Sequence, residues 1–232
     1  MSDRSNGVER WGADPFFFTE AARGGPWVWR LGAEKFEGEP LGPVRHAHDD
    51  AAEYYYMFSG SAHVETGGEE FVLEEGQLGY IPPDAPHNFF GPAGDRDACL
   101  FCVIAPNIVD NKWRVTDWRP GSESLRMTVA TPFLDESLPG DAKLFATADE
   151  LAPDDQRIEL AAAGFETVYL VLEGALKLEL LGGLRGTLEP GTFVHLREGL
   201  RHRMSASRPC KVLRFDCAFA AWQGTATAED AP

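Results

Sequence analysis

Three histidines and one glutamate in this chain are spaced so that a fold could gather them around one cation. His46 and His48 stand two apart in R-H-A-H-D-D-A-A-E, Glu53 ends that run, and His87 closes G-Q-L-G-Y-I-P-P-D-A-P-H. Side chains alternate along a strand with period two, so His46 and His48 project to one side of an extended segment. A bulge or turn lets Glu53 swing back to that side. The chain has 6 histidines, and three of them fall in this set, which argues against scattered core or surface imidazoles. Three neutral imidazoles and one carboxylate bring a single negative charge to a divalent ion. The complex stays positive and can polarise a bound oxygen or acidify water. Mixed nitrogen and oxygen donors suit iron, manganese, nickel, copper, cobalt or zinc. The expectation is therefore one divalent transition metal per chain, its identity open. A closed structural zinc site would be tetrahedral and usually cysteine-rich.

The elements that must position these groups read as short strands. P-W-V-W-R-L (26–31) is a candidate first strand, and Y-Y-Y-M-F (54–58) another. The runs H-V-E and F-V-L flank a T-G-G-E turn at 66–69. Short strands with hairpin turns predict an all-β sandwich or barrel. A second strand-rich block covers about 155–218, where A-L-K-L-E-L (175–180) puts Leu176, Leu178 and Leu180 on one face.

The two blocks repeat one another, which bears on any fold assignment. Gly76 and His87 recur as Gly191 and His202, both 115 positions on, and Gly60 recurs as Gly174 at 114. At a spacing of 114, Leu160, Ala162 and Thr167 fall where His46, His48 and Glu53 stand, with Glu166 one residue from the glutamate position. His195 falls at the place of Tyr80, where packing is expected. The second half thus keeps one histidine of the set and is expected to lack a full metal site. The expected division is an arm at 1–25, a metal-binding barrel at 26–110, an interdomain segment at 111–150, a degenerate barrel at 151–220 and a tail at 221–232.

The H-x-H-x4-E-x6-G pattern from His46 to Gly60 resembles the first motif of the cupin superfamily. Gly76, Pro82 and His87 resemble its second motif, with Asp84 at the usual glycine and Gly91 where an asparagine is usual. The resemblance implies two tandem cupin barrels (jelly rolls, or double-stranded β-helices) and a metal held by His46, His48, Glu53 and His87. It also implies a homodimer as the default. In quercetinase-like members the matching glutamate acts as a base, so Glu53 is expected as a ligand, a catalytic base, or both.

Strand alternation places Tyr55 and Met57 on the inward face with Glu53, and Tyr54 and Tyr56 outward. Phe89 should follow His87 inward. Tyr55 is then a second catalytic candidate, and Tyr55, Met57 and Phe89 line a pocket for a flat, partly apolar molecule, although ordinary barrel packing would use the same residues. The leading expectation is a metal-dependent enzyme, an O2-using dioxygenase acting on a small enol, phenol or diketone-like substrate. A redox-neutral isomerase, cyclase or lyase is the alternative, and a non-enzymatic ligand-binding protein a third.

At 232 residues there is room for two barrels of about 100 residues each. The 37 acidic and 21 basic residues leave a net charge of −16, which disfavours nucleic acid and anionic membranes as partners. The N-terminal run lacks the apolar core of a secretory signal, and no apolar run reaches membrane-spanning length, so a cytoplasmic protein is expected. Cys99, Cys102, Cys210 and Cys217 read as reduced core thiols, because Cys99-x-x-Cys102 lacks a second pair of matching spacing.

Overall fold

The period-two burial that a half-covered strand requires recurs along the chain. In Ser61–Thr66, Ala62, Val64 and Thr66 are buried while their neighbours are part-exposed, and Leu176–Leu180 repeats the pattern. The computed structural model describes residues 8–10, 16–19, 27–31, 46–48, 51–92, 99–105, 114–115, 125–160, 164–180, 183 and 185–218. Among them the regular elements are all strands, from β1 (Val8–Arg10) to β20 (Cys210–Ala218). No helix long and apolar enough to cross a membrane occurs among them. The chain divides into two compact units, Asp14–Leu144 and Met1–Ala13 with Phe145–Pro232.

The Asp14–Leu144 unit is built from two antiparallel sheets. One sheet holds β2 (Phe16–Thr19), β3 (Trp27–Leu31), β5 (Ala52–Ser59), β8 (Leu78–Ile81), β10 (Cys99–Ala105) and β12 (Thr128–Ala130), in the order β12-β8-β5-β10-β3-β2. The other holds β4 (His46–Ala47), β6 (Ser61–Thr66), β7 (Glu69–Glu74), β9 (His87–Pro92) and β11 (Arg114–Val115), in the order β11-β4-β9-β6-β7. The T-G-G-E turn is a two-residue hairpin, with Thr66 opposite Glu69 and Ser61 opposite Glu74. β5 is central and buried on both faces. Its inward set, Tyr55 and Met57, packs with Val64, Leu73, Leu100 and Ile104. Tyr54 points away from that interior yet is fully buried, its ring 5.1 Å from Tyr80 and its hydroxyl donating to the Pro139 carbonyl.

The other unit repeats the plan. Its five-stranded sheet runs β1-β18-β15-β20-β13, with β13 (Leu144–Leu151), β15 (Phe165–Glu173) and β18 (Phe193–Leu196). Its four-stranded sheet runs β14-β19-β16-β17, with β14 (Gln156–Leu160), β16 (Leu176–Leu180), β17 (Arg185–Leu188) and β19 (Arg201–Ala206). Tyr169, Val171, Val194, Met204 and Val212 centre its core. Facing antiparallel sheets in both halves make the chain all-β, two tandem jelly-roll barrels.

Gly174 and Gly199 separate backbone strain from steric conflict. Both have left-handed φ (+78° and +75°), but a Cβ on Gly174 would lie 2.2 Å from the Pro209 carbonyl oxygen, whereas Gly199 faces open space. Gly199→Ala should cost about 1–2 kcal/mol from conformation alone. Gly174→Ala should cost more than about 3 kcal/mol, since backbone cannot yield cheaply. Urea denaturation of the two variants checks the ranking.

A candidate metal centre and its altered copy

Three strands of the Asp14–Leu144 unit bring the donors together. β4 carries His46 and ends just before His48, β5 carries Glu53, and β9 begins at His87. His46 lies directly opposite His87, and Glu53 lies opposite Ile81 on one side and Ile104 on the other. All four side chains are buried, and one ligand atom from each lies within 4.8 Å of the rest. The rings do not stack in parallel. His46 and His48 are edge to face at 5.0 Å and 85°, and His46 and His87 tilt by 57° at 4.2 Å.

Nδ1 of His87 stands 2.9 Å from the Ala85 carbonyl oxygen. A carbonyl can only accept, so Nδ1 carries a proton, and in the neutral imidazole Nε2 faces the centre with its lone pair. That nitrogen stands 3.5 Å from Glu53 Oε1, and His48 Nε2 contacts the same oxygen more closely. Burial alone would raise the Glu53 pKa, but the neighbouring His48 and His87 outweigh it and hold the carboxyl well below its usual range. Burial would lower His87, yet Glu53 and the Ala85 carbonyl leave it raised. An ionised carboxylate with imidazole nitrogens converging on it, buried in a barrel with an apolar core, fits a divalent transition metal.

Tyr55 and Cys102 are cross-strand partners beside the centre. Burial first, then the Glu53 charge, push both hydroxyl and thiol well above their ordinary values, so each stays protonated. The structure brings His46, His48, Glu53 and His87 into one cluster and places Tyr55 and Met57 in the adjoining interior. Phe89 lies opposite Val64 in β9, but its side chain falls outside the described residues. From the sequence Cys102 reads only as a core thiol; its place beside Tyr55 comes from cross-strand register, which spacing along the chain does not carry.

In the second barrel the strand registers define the counterparts more sharply than sequence spacing. Tyr169 pairs with Arg214 as Tyr55 pairs with Cys102, and Thr167 lies between Leu196 and Asp216 as Glu53 lies between Ile81 and Ile104. Glu159 lies opposite His202 as His46 lies opposite His87. The expected counterpart of His46 at Leu160 is thus one residue off. Glu166 does not slip into the glutamate place; it points to the other face, 2.9 Å from His195 Nε2. Inside this barrel a guanidinium meets the acids. Arg214 Nε is 2.8 Å from Asp216 Oδ2, its Nη1 is 3.5 Å from Glu159, and Thr167 donates to Asp216 at 2.8 Å. His202 Nδ1 donates to the Leu200 carbonyl, which leaves Nε2 to accept from the Tyr169 hydroxyl at 3.0 Å.

Two outcomes are expected. Elemental analysis should find about one transition metal per chain, lost in the His46→Ala/His48→Ala variant. Burial holds His202 below its ordinary pKa, so the folded state binds fewer protons there than the unfolded chain. That contribution to stability is complete above about pH 6.5 and declines as pH falls below it toward the depressed value. The loss of stability between neutral pH and pH 5 should be shallower in His202→Gln than in the parent, by urea titration.

Comparison with known proteins agrees with this architecture. Residues 34–104 match the family described as Cupin domain. No curated protein is significantly similar to the chain in sequence. Among solved structures, the chain is similar to protein Ylba from E. coli, with TM-score 0.60 and 15% identity, over 94% of this chain and 87% of that one. It is also similar to salicylate 1,2-dioxygenase from Pseudoaminobacter salicylatoxidans, solved with gentisate, with TM-score 0.61 and 14% identity over 84% of this chain and 69% of that one. A third structure, Streptomyces albus HEPD with 2-hydroxyethylphosphonate and Fe(II) bound, aligns over 100% of this chain and 81% of its own, with TM-score 0.64 and 10% identity. The fold is the one these structures share, and residues 34–104 match the cupin-domain family.

Proposed function

We propose that the chain is a metal-dependent enzyme, an O2-using dioxygenase acting on a small enol, phenol or diketone-like molecule at His46, His48, Glu53 and His87. The observation that carries this reading is the buried cluster of three imidazoles and one carboxylate, with Tyr55 on the same strand as Glu53 and packed in the apolar core of that barrel. Likeness in fold to structures solved with gentisate, and with Fe(II) and 2-hydroxyethylphosphonate, supports a small organic substrate.

A metal held by His46, His48, Glu53 and His87 would supply Lewis-acid and redox chemistry. The chain's own groups do the rest. Glu53, held ionised by its imidazole neighbours, is a ligand first and a weak base, because a depressed pKa lowers its proton affinity. Tyr55 keeps its proton at neutral pH and can donate a hydrogen bond to oxygen on the substrate. Met57, Leu100 and Ile104 are buried apolar side chains of the same core and keep water from it.

Oxygen uptake by Fe(II)-loaded protein, screened against enols, catechol-like phenols and β-diketones, tests the reading. His48→Ala should retain the fold and lose turnover by more than about 1,000-fold, and Tyr55→Phe should lower kcat by about 10- to 100-fold with little change in metal content. Full activity in His48→Ala would sink the proposal. Equal turnover under strict anaerobiosis would replace the dioxygenase with a redox-neutral isomerase, cyclase or lyase.

A further inference from the structure

The turn that precedes His87 is tied to two of the four donors. Ala85 N donates to the Pro82 carbonyl at 3.3 Å, closing a four-residue turn. Pro83 occupies its second position, and Asp84, at its third, has φ +62°. That is the pattern of a type II turn, whose third residue must be left-handed. In such a turn the third residue's amide is not used by the turn itself. Here it donates to the His48 carbonyl at 3.0 Å. The fourth residue, Ala85, supplies the carbonyl that takes the Nδ1 proton of His87 at 2.9 Å.

The second barrel provides an internal control. Leu200 N donates to the Arg197 carbonyl at 3.3 Å, and His202 Nδ1 lies 3.1 Å from the Leu200 carbonyl. The residue at the place of Asp84 is Gly199, with φ +75°. The same turn therefore orients the same histidine in both halves, once with glycine and once with aspartate. Glycine enters this conformation freely, whereas aspartate is among the few other residues that tolerate it. The side chain of Asp84 is exposed, so its backbone is what reaches the site.

We propose that Asp84 is a positioning residue for the metal centre: its left-handed backbone aims the Ala85 carbonyl at His87, and its amide holds the segment that ends in His48. This rests on the metal-binding reading above. Partners behind a ligand, such as the Ala85 carbonyl, fix its tautomer and direction, and losing them typically weakens metal affinity about 10- to 100-fold.

The test is a Co(II) titration of the full apo-chain against a competing chelator, with the visible Co(II) spectrum recorded and the apo melting temperature as the control for folding. Asp84→Gly, which copies the turn of the second barrel, should keep the Co(II) Kd within about threefold and the parent spectrum. Asp84→Pro removes the amide and fixes φ near −65°, and should weaken Co(II) about 10- to 100-fold with an altered spectrum. Asp84→Val keeps the amide but resists the left-handed region. It should weaken binding in the same direction, and it decides the matter if the proline variant does not fold. Parent-like Kd and spectrum in a folded Asp84→Pro or Asp84→Val overturn the proposal. A parent chain that binds no Co(II) overturns instead the metal reading on which it rests.

Discussion

A carboxylate buried in an apolar barrel sets the terms for everything around it. Removing Glu53 from water is costly unless positive charge or hydrogen-bond donors compensate. The fold meets that demand with imidazoles from two further strands rather than with lysine or arginine. An imidazole can hand over a lone pair as well as share a proton, so the same arrangement that tolerates the carboxylate also coordinates a cation. Strand pairing makes this possible. His46 is fixed opposite His87, and Glu53 is fixed between Ile81 and Ile104, because a slip of one residue exchanges the two faces of a strand and would turn its donor away from the centre.

The second barrel answers a similar demand differently. Glu159 and Asp216 bring carboxylates to the counterpart region, and the cation there is the guanidinium of Arg214, at the register position of Cys102. A guanidinium cannot be deprotonated in a protein and offers no lone pair. It neutralises the acids without opening a coordination position. Tyr169, at the register position of Tyr55, gives its hydroxyl to His202, so that imidazole's remaining nitrogen is also engaged. The two halves thus share a scaffold, a turn and an inward tyrosine, while differing in whether the buried charge is balanced by a fixed side chain or by donors that suit an exchangeable ion.

Much of this was legible in the sequence because it depends on period and spacing. The all-β class, the hairpin at 66–69 and the strand at Trp27–Leu31 follow from short alternating runs punctuated by turns. The convergence of His46, His48, Glu53 and His87 follows from the two motifs. What spacing could not supply is register across strands. A constant offset of 114 misses Glu159 by one residue, because the spacing between counterparts is not uniform along the repeat. It also left open whether Glu166 could slip into the glutamate place; pairing with β18 and β20 puts Thr167 there and turns Glu166 to His195. Cys102 was hidden for the same reason, since its proximity to Tyr55 is a cross-strand fact.

The departure at Asp84 shows how a motif can change in letter and keep its physics. The turn requires a left-handed residue and a donating amide; it does not require the absence of a side chain, since the Asp84 side chain lies exposed at the surface. Aspartate meets both needs at a modest conformational cost. A substitution is tolerated at such a place when it preserves the backbone dihedral, whatever it does to the side chain. By that criterion two changes in this chain are of different kinds. Asp84 preserves the geometry that aims His87, whereas Thr167, at the place of Glu53, removes a donor atom from the centre itself. The first keeps the turn that orients His87, and the second leaves Arg214 paired with Asp216 and Glu159 among the described residues of the other barrel.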